Sequence, residues 1–164
     1  METVAVYFEK PVRTYGIKAR LDNLALSLEC TADQLTGLTD ALAALEPPLQ
    51  LISCSLMWEG DLALLQVCLP QDQAPRLEEA ATRAGAGIVQ RGPAGVVNLQ
   101  GPHFGDRWGL ASEALCGLES AGVEPLSILA VTHTIQVTLA PESSGAALEG
   151  LGRGFCAPGG DNGR

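Results

Sequence analysis

A strand pattern and then a helix pattern follow one another early in the chain. Residues 24–30 (LALSLEC) alternate leucine with polar or small side chains, which is typical of a strand. Thr31 and Gln34 then have the spacing of a capping box at the start of a helix. Leucines recur beyond them at helical spacing, at Leu35, Leu38, Leu42 and Leu45. Pro47 and Pro48 are expected to end this helix, because proline cannot continue the helical hydrogen bonds.

A hairpin and a second helix are predicted next. Residues 49–58 (LQLISCSLMW) and 62–69 (LALLQVCL) have strand patterns, and residues 59–61 between them favour a turn. Residues 71–85 predict a short helix that ends at a glycine. Its inward face is expected to contain Leu77, Ala80, Ala81 and Ala84. Residues 86–92 can add one more strand, so that the order is strand, helix, strand, strand, helix, strand.

The same order of elements returns in the second half of the chain. The predicted elements are a strand at 94–101, a helix at 108–122, a strand at 124–131, a tight turn at 132–134, a strand at 135–139 and a helix at 142–155. The inward face of the first of these helices is expected to contain Ala111, Ala114, Leu115 and Leu118. The amino-acid sequence repeats as well, since QVCLP at 66–70 matches QVTLAP at 136–141. The period is about seventy residues, which indicates a duplicated small domain.

This duplication predicts an α+β fold of two ferredoxin-like modules. In each, the order βαββαβ forms an antiparallel sheet with its helices on one face. We expect the first module over residues 1–90, with an extra N-terminal strand at 3–9 (TVAVYFE), and the second over 91–156. The extra strand can complete the sheet of the other copy. Residues 157–164 are rich in glycine and predict a flexible tail.

Charge and cysteine content narrow the class of protein. Ten basic residues against 19 acidic ones give a net charge of −9, so the positive charge that nucleic acids and anionic membranes require is missing. No apolar run approaches the ~20 residues that span a bilayer, and the N-terminus lacks the basic region of a signal peptide. The five cysteines, at positions 30, 54, 68, 116 and 156, form no C-x-x-C pair. We interpret them as buried thiols, and the protein as cytoplasmic.

The segment GPHFGDRWGLASEAL, residues 101–115, is the candidate for a binding site. Gly105 and Gly109 bracket an Asp-Arg-Trp triplet, and both can adopt a positive φ and let the backbone approach a ligand closely. The loop leads into a helix N-terminus, where free N–H groups and the helix dipole favour an anion. The carboxylate of an amino acid would suit that position.

The side chains of this loop can bind a ligand, or they can only stabilise the fold. Asp106 can bind the ammonium group of an amino acid, and Arg107 can pair with a carboxylate. Phe104 and Trp108 would then form the walls of the pocket. Alternatively, Asp106 caps the helix, and the two aromatic side chains pack under the edge of the sheet.

Neither a metal, a cofactor nor catalysis is expected. His103 and His133 are the two histidines of the chain, and they lack the ligand spacing of a metal site. No nucleophile elbow, phosphate-binding loop or Ser-His-Asp order is present.

Four motifs of residues 96–155 are familiar as a set: GDRWGLA after the first strand, ESAGV at the helix end, the polar turn THT and the Leu-x-x-x-Phe pattern from Leu151 to Phe155. With them the segment resembles an ACT domain, a small regulatory module that binds amino acids, and the match is closest to the tandem pair at the C-terminus of aspartokinases. YGIKARLDNLALSLEC looks like the lead-in to the first family domain, so the resemblance covers about residues 12–156. The first copy has no glycine loop in LECTADQL, and Trp108 replaces the proline that the family usually has before the last loop glycine.

The resemblance implies that a ligand lies between this loop and a strand of a neighbouring module. The implied contacts are Phe104, Gly105, Asp106, Arg107, Trp108, Gly109 and Leu110 of the loop, with Val123, Glu124, Leu126 and Ser127 of the following strand region.

The function implied is that of a non-catalytic regulator. It would sense a small amino acid and modulate a partner enzyme of amino-acid metabolism. In its most specific form, the hypothesis names an aspartokinase as that partner. A homodimer is expected, because exposed sheet edges require pairing. The alternative is a ligand-free assembly protein whose modules pair with each other or with a partner. A loop sealed by Trp108 would favour that alternative.

Overall fold

The structure, a computed structural model, describes residues 11–102 and 104–156, apart from the side chain of Asp106. The strands are β1 (Val12–Arg13), β2 (Gly16–Thr31), β3 (Ser53–Glu59), β4 (Leu62–Pro70), β5 (Gly87–Gln100), β6 (Ser127–Val131), β7 (Thr134–Leu139) and β8 (Phe155–Cys156). The helices are α1 (Ala32–Ala43), α2 (Ala74–Ala84), α3 (Leu110–Ser120) and α4 (Ser144–Gly154). The predicted strand at 3–9, His103 and the predicted tail at 157–164 lie outside the described residues.

One compact unit, here called module A, contains residues 22–94. Its strands lie in the order β3–β4–β2–β5, with β2 and β3 both antiparallel to β4. Alternate residues of β2 and β4 share a face of the sheet, and they pack in one core with the inward residues of α1 and α2. Members of this core include Leu26, Leu28, Leu65, Val67, Leu38, Leu77 and Ala80.

The other unit, here called module B, contains residues 11–21 and 95–156. Its strands lie in the order β2–β5–β7–β6, with β5 and β6 both antiparallel to β7. Its separate core includes Val97, Leu99, Val137, Leu139, Ala114, Leu118 and Leu151. The predicted α+β fold of two ferredoxin-like modules is confirmed.

The segment before the first copy belongs to module B. Thr14 N–H donates to the Cys156 carbonyl at 2.7 Å, and Tyr15 N–H donates to the Gln100 carbonyl at 2.5 Å. The short strand β1 pairs in parallel with β8, directly after α4. These backbone bonds attach residues 12–15 to the second copy.

The local pattern at the start of α1 was predicted correctly. Thr31 is the N-cap of α1, and its side chain and that of Gln34 form the predicted capping box. Helices α2 and α4 are equally long, lie about seventy residues apart, and each follow a short 3-10 turn. The predicted repeat is therefore present in the structure.

Other predictions were wrong. Residues 86–92 and 94–101 form the single strand β5 instead of two. Leu115 was predicted to face inward but is 48% exposed, because Leu110, Ala114 and Leu118 form the buried face of α3. Cys54 and Cys116 are exposed rather than buried.

Candidate functional site

The loop at residues 101–109 connects β5 to α3 within module B. Gly101 N–H donates to the His133 carbonyl at 3.3 Å, which continues the pairing of β5 with β7 for one residue. A 3-10 turn follows at Phe104–Asp106, and Arg107 N–H donates to the Phe104 carbonyl at 3.3 Å. The loop is therefore hydrogen-bonded at its base and in its middle.

Phe104 attaches the loop to the core of module B. Its side chain is 4% exposed, and its ring centroid lies 6.2 Å from that of Phe155 in the core of module B. A Cβ atom on Gly101 would overlap the Phe104 ring, so glycine at 101 is what lets the ring fold back under the chain. Phe104 is thus a residue of the core of module B.

Trp108 has the opposite placement and is 93% exposed. It therefore does not pack under the sheet edge. Arg107 beside it is half-buried. The side chain of Asp106 lies outside the described part of the chain.

Gly109 begins α3 in the left-handed region, with a φ of 80°. Gly109 is the N-cap, and as a glycine it has no side chain with which to cap the helix. The first bond of this helix start runs from Glu113 N–H to the Gly109 carbonyl, at 2.9 Å. The N–H groups of the first turn are donors without helical partners, and they carry the positive end of the helix dipole. An anion is the ligand that such a helix start favours.

The turn between β6 and β7 borders the loop, and the sequence analysis did not single it out as part of the site. A Cβ atom on Gly105 would lie 2.9 Å from Thr132 Cγ2. Gly105 therefore passes close against Thr132, and a side chain at 105 would displace the turn or the loop. The polar turn THT was visible in the sequence, but its proximity to the loop depends on the pairing of β5 with β7.

The second group of predicted contacts lies at the other end of α3. Val123 is buried and its N–H donates to the Leu118 carbonyl at 3.0 Å, whereas Glu124 is exposed. Leu126 N–H donates to the Thr138 carbonyl at 2.7 Å, and Ser127 pairs with Thr138. The 11 residues of α3 separate this group from the loop, which corresponds to about 16 Å. One chain therefore does not bring the two predicted groups together.

The described residues contain no cluster of His, Cys, Asp and Glu that could hold a metal ion. No helix among residues 11–102 and 104–156 is long and apolar enough to cross a membrane. Burial raises the pKa of the Cys68 thiol to about 11 and also raises the pKa of Cys30. These two buried thiols therefore stay neutral and unreactive near neutral pH.

No family model matches the sequence, and no curated protein matches it. The chain is similar to the ligand-free regulatory subunit of aspartate kinase from Thermus thermophilus, with a TM-score of 0.74 and 18% identity over 87% of this chain and 99% of that one. Aspartate kinase from Synechocystis gives a TM-score of 0.73 and 16% identity, over 97% of this chain and 30% of that one. E. coli aspartokinase III in complex with lysine and aspartate gives a TM-score of 0.58 and 15% identity, over 89% of this chain and 34% of that one.

These likenesses define the class of fold. The chain has the tandem ACT-type fold of the regulatory subunits of aspartate kinase, as the sequence resemblance predicted. It extends over nearly the whole of the Thermus thermophilus subunit and over about a third of the kinases that carry the same fold at part of their length.

Proposed function

We propose that this protein is a non-catalytic regulator that binds a small amino acid at the loop of residues 101–109 and modulates a partner enzyme of amino-acid metabolism. An aspartate kinase is the first partner to test. The observation that carries the proposal is the left-handed glycine N-cap of α3 at Gly109, which follows a glycine loop, on the fold of aspartate kinase regulatory subunits.

The chemistry of this helix start suits an amino acid. The ligand carboxylate would accept hydrogen bonds from the N–H groups of the first turn of α3, where the helix dipole is positive. The loop also contains Asp106 and Arg107, whose residue types match the ammonium and carboxylate groups of an amino acid. E. coli aspartokinase III was solved with lysine and aspartate, which makes lysine the first ligand to test among the twenty amino acids.

A second copy of the chain would complete the site. β6 is the last strand of the sheet in module B, and Leu129 and Val131 on it are 38% and 53% exposed. Antiparallel pairing of β6 with the β6 of a second copy would place the start of one strand beside the end of the other. Ser127 of one copy would then approach the loop of its partner, which one chain alone does not allow.

Thermal unfolding in the presence of each of the twenty L-amino acids at millimolar concentration tests ligand binding. A ligand at 100 times its Kd adds about 2.7 kcal/mol to the free energy of unfolding. For a chain of this size the midpoint should rise by roughly 5–10 °C. Twenty unchanged midpoints would contradict the proposal and would favour the assembly protein.

Two substitutions at one residue test where the ligand binds. Gly109→Ala and Gly109→Asp both place a side chain at a φ of 80°, and both side chains enter space with no atom within 4 Å of Cβ. Aspartate tolerates this conformation better than alanine, so backbone strain does not favour the alanine variant, and only aspartate puts a negative charge where the ligand carboxylate would bind. We expect the alanine variant to keep the ligand-induced rise in midpoint and the aspartate variant to lose it. An equal response of both variants would place the ligand elsewhere.

The partner is tested by co-expression with an aspartate kinase catalytic chain from the same genome. We expect the two chains to co-elute in size-exclusion chromatography, and the amino acid that stabilises this chain to change the activity of the complex but not that of the catalytic chain alone. Separate elution, with activity indifferent to this chain, would exclude that enzyme as the partner.

A further inference from the structure

We infer that module A has no amino-acid site at its own first helix, so that of the two equivalent helix starts only the one in module B can bind an amino acid. The inference deepens the proposed function and rests on it for the identity of the site in module B. What it adds is that the two copies of the duplicated fold have diverged: the first helix of module A begins directly after its strand with a side-chain capping box, whereas that of module B follows a loop and begins at a glycine.

The two helix starts occupy equivalent places in the two copies. Leu24 of β2 pairs with Leu69 of β4, and Gly95 of β5 pairs with Leu139 of β7, so β2 and β5 correspond. In module B, residues 101–109 lie between β5 and α3. In module A, α1 begins at the residue after β2 ends. There is consequently no loop in module A to surround a ligand.

The end of the strand is also occupied in module A. Cys30, the last residue but one of β2, is 1% exposed, and its thiol lies 3.8 Å from the Ala63 carbonyl as a donor. At the corresponding point of module B, Gly101 follows the last residue of β5 and has no side chain, which leaves room for the Phe104 ring. A buried side chain therefore stands in module A where the loop departs in module B.

The helix start of module A is closed by a capping box. Gln34 N–H donates to Thr31 Oγ1 at 3.4 Å, and Thr31 N–H donates to Gln34 Oε1 at 2.8 Å. The Gln34 amide also donates through Nε2 to the Gly85 carbonyl at 2.7 Å, which ties it to the end of α2. An incoming carboxylate would have to displace a side chain that is bonded on both sides, whereas Gly109 presents no side chain to displace.

Backbone NMR of the full chain, uniformly labelled with ¹⁵N, tests the inference. In the ligand-free protein we expect the amides of Thr31 and Gln34 to exchange with solvent at least about fivefold more slowly than those of the first turn of α3, because a helix cap is worth about that factor. Thr31→Ala should remove the difference at Gln34, and Thr31→Ser should keep it.

Adding a mixture of the twenty L-amino acids to the same sample separates this inference from the proposed function. Shifted resonances at residues 104–112, with residues 31–34 unchanged, are expected. Shifts at residues 31–34, or rapid exchange of the Gln34 amide in the wild-type chain, would overturn the inference. Protected amides at residues 31–34 without any shifted resonance would refute the proposed function and leave module A closed, as inferred.

Discussion

Helices α3 and α4 pack through glycine, and this contact allows a quantitative test. A Cβ atom on Gly150 would overlap the Gly117 carbonyl oxygen and lie 2.8 Å from the Cβ of Ala121. A Cβ atom on Gly117 would lie 2.9 Å from the Gly150 carbonyl oxygen. These neighbours include backbone of the facing helix, which cannot rotate away as the end of a long side chain can. We therefore expect Gly150→Ala to force α3 and α4 apart.

The control lies two residues further along the same helix. Gly152→Ala adds the same methyl group where no atom lies within 4 Å of the added Cβ. Both substitutions gain the helix propensity of alanine over glycine, about 1 kcal/mol. That gain cancels when the two variants are compared, so their difference measures the steric cost alone. Overpacking of a well-packed core costs about 1–3 kcal/mol.

Urea and thermal unfolding of the two variants measure this difference. We expect Gly152→Ala to be slightly more stable than the wild-type chain and Gly150→Ala to be less stable than Gly152→Ala by about 1–3 kcal/mol. The thermal midpoint of a chain of this size shifts by about 2–4 °C for each kcal/mol of stability, so the midpoints of the two variants should differ by roughly 2–12 °C. Equal midpoints would refute the close approach of α3 and α4 at Gly150, and with it the position of the helix that carries the candidate loop.

Three further outcomes are expected. Phe104→Ala should lower the free energy of unfolding by about 3–5 kcal/mol and Trp108→Ala by less than about 0.5 kcal/mol, because the first ring is buried and the second exposed; similar losses in urea titrations would contradict their placement. Thr31→Ala should cost about 1 kcal/mol in the same assay, and Thr31→Ser much less; a neutral Thr31→Ala would mean that the capping box does not form. Iodoacetamide at pH 8, followed by mass spectrometry, should label the exposed Cys116 and leave Cys68 unmodified, because a raised pKa of about 11 keeps that thiol protonated at pH 8; early labelling of Cys68 would refute its burial.

The candidate site was only partly predictable. The glycines of the loop and the helix that follows were evident from residue type and spacing, since a left-handed N-cap such as Gly109 selects for glycine. That Phe104 is buried and Trp108 exposed could not be predicted from residue type and spacing. Both are large aromatic residues in one loop, and their types alone do not state which ring meets Phe155 in the core.

What the sequence determined by itself was local or periodic. The alternation in β2, the capping box at Thr31 and the seventy-residue repeat each depend on neighbours a few residues apart, or on one copy matching the other. These features were enough to predict two ferredoxin-like modules and the order of their elements.

Only the tertiary structure decided which parts of the chain complete each module and each half of the site. Residues 12–15 join module B through bonds to Gln100 and Cys156, far away in sequence, and no pattern within the segment encodes that choice. The separation of the loop from Ser127 likewise follows from the length of α3 and the register of β6 on β7. Sequence periodicity reports which face of an element is buried, whereas long-range pairing selects the partner that buries it.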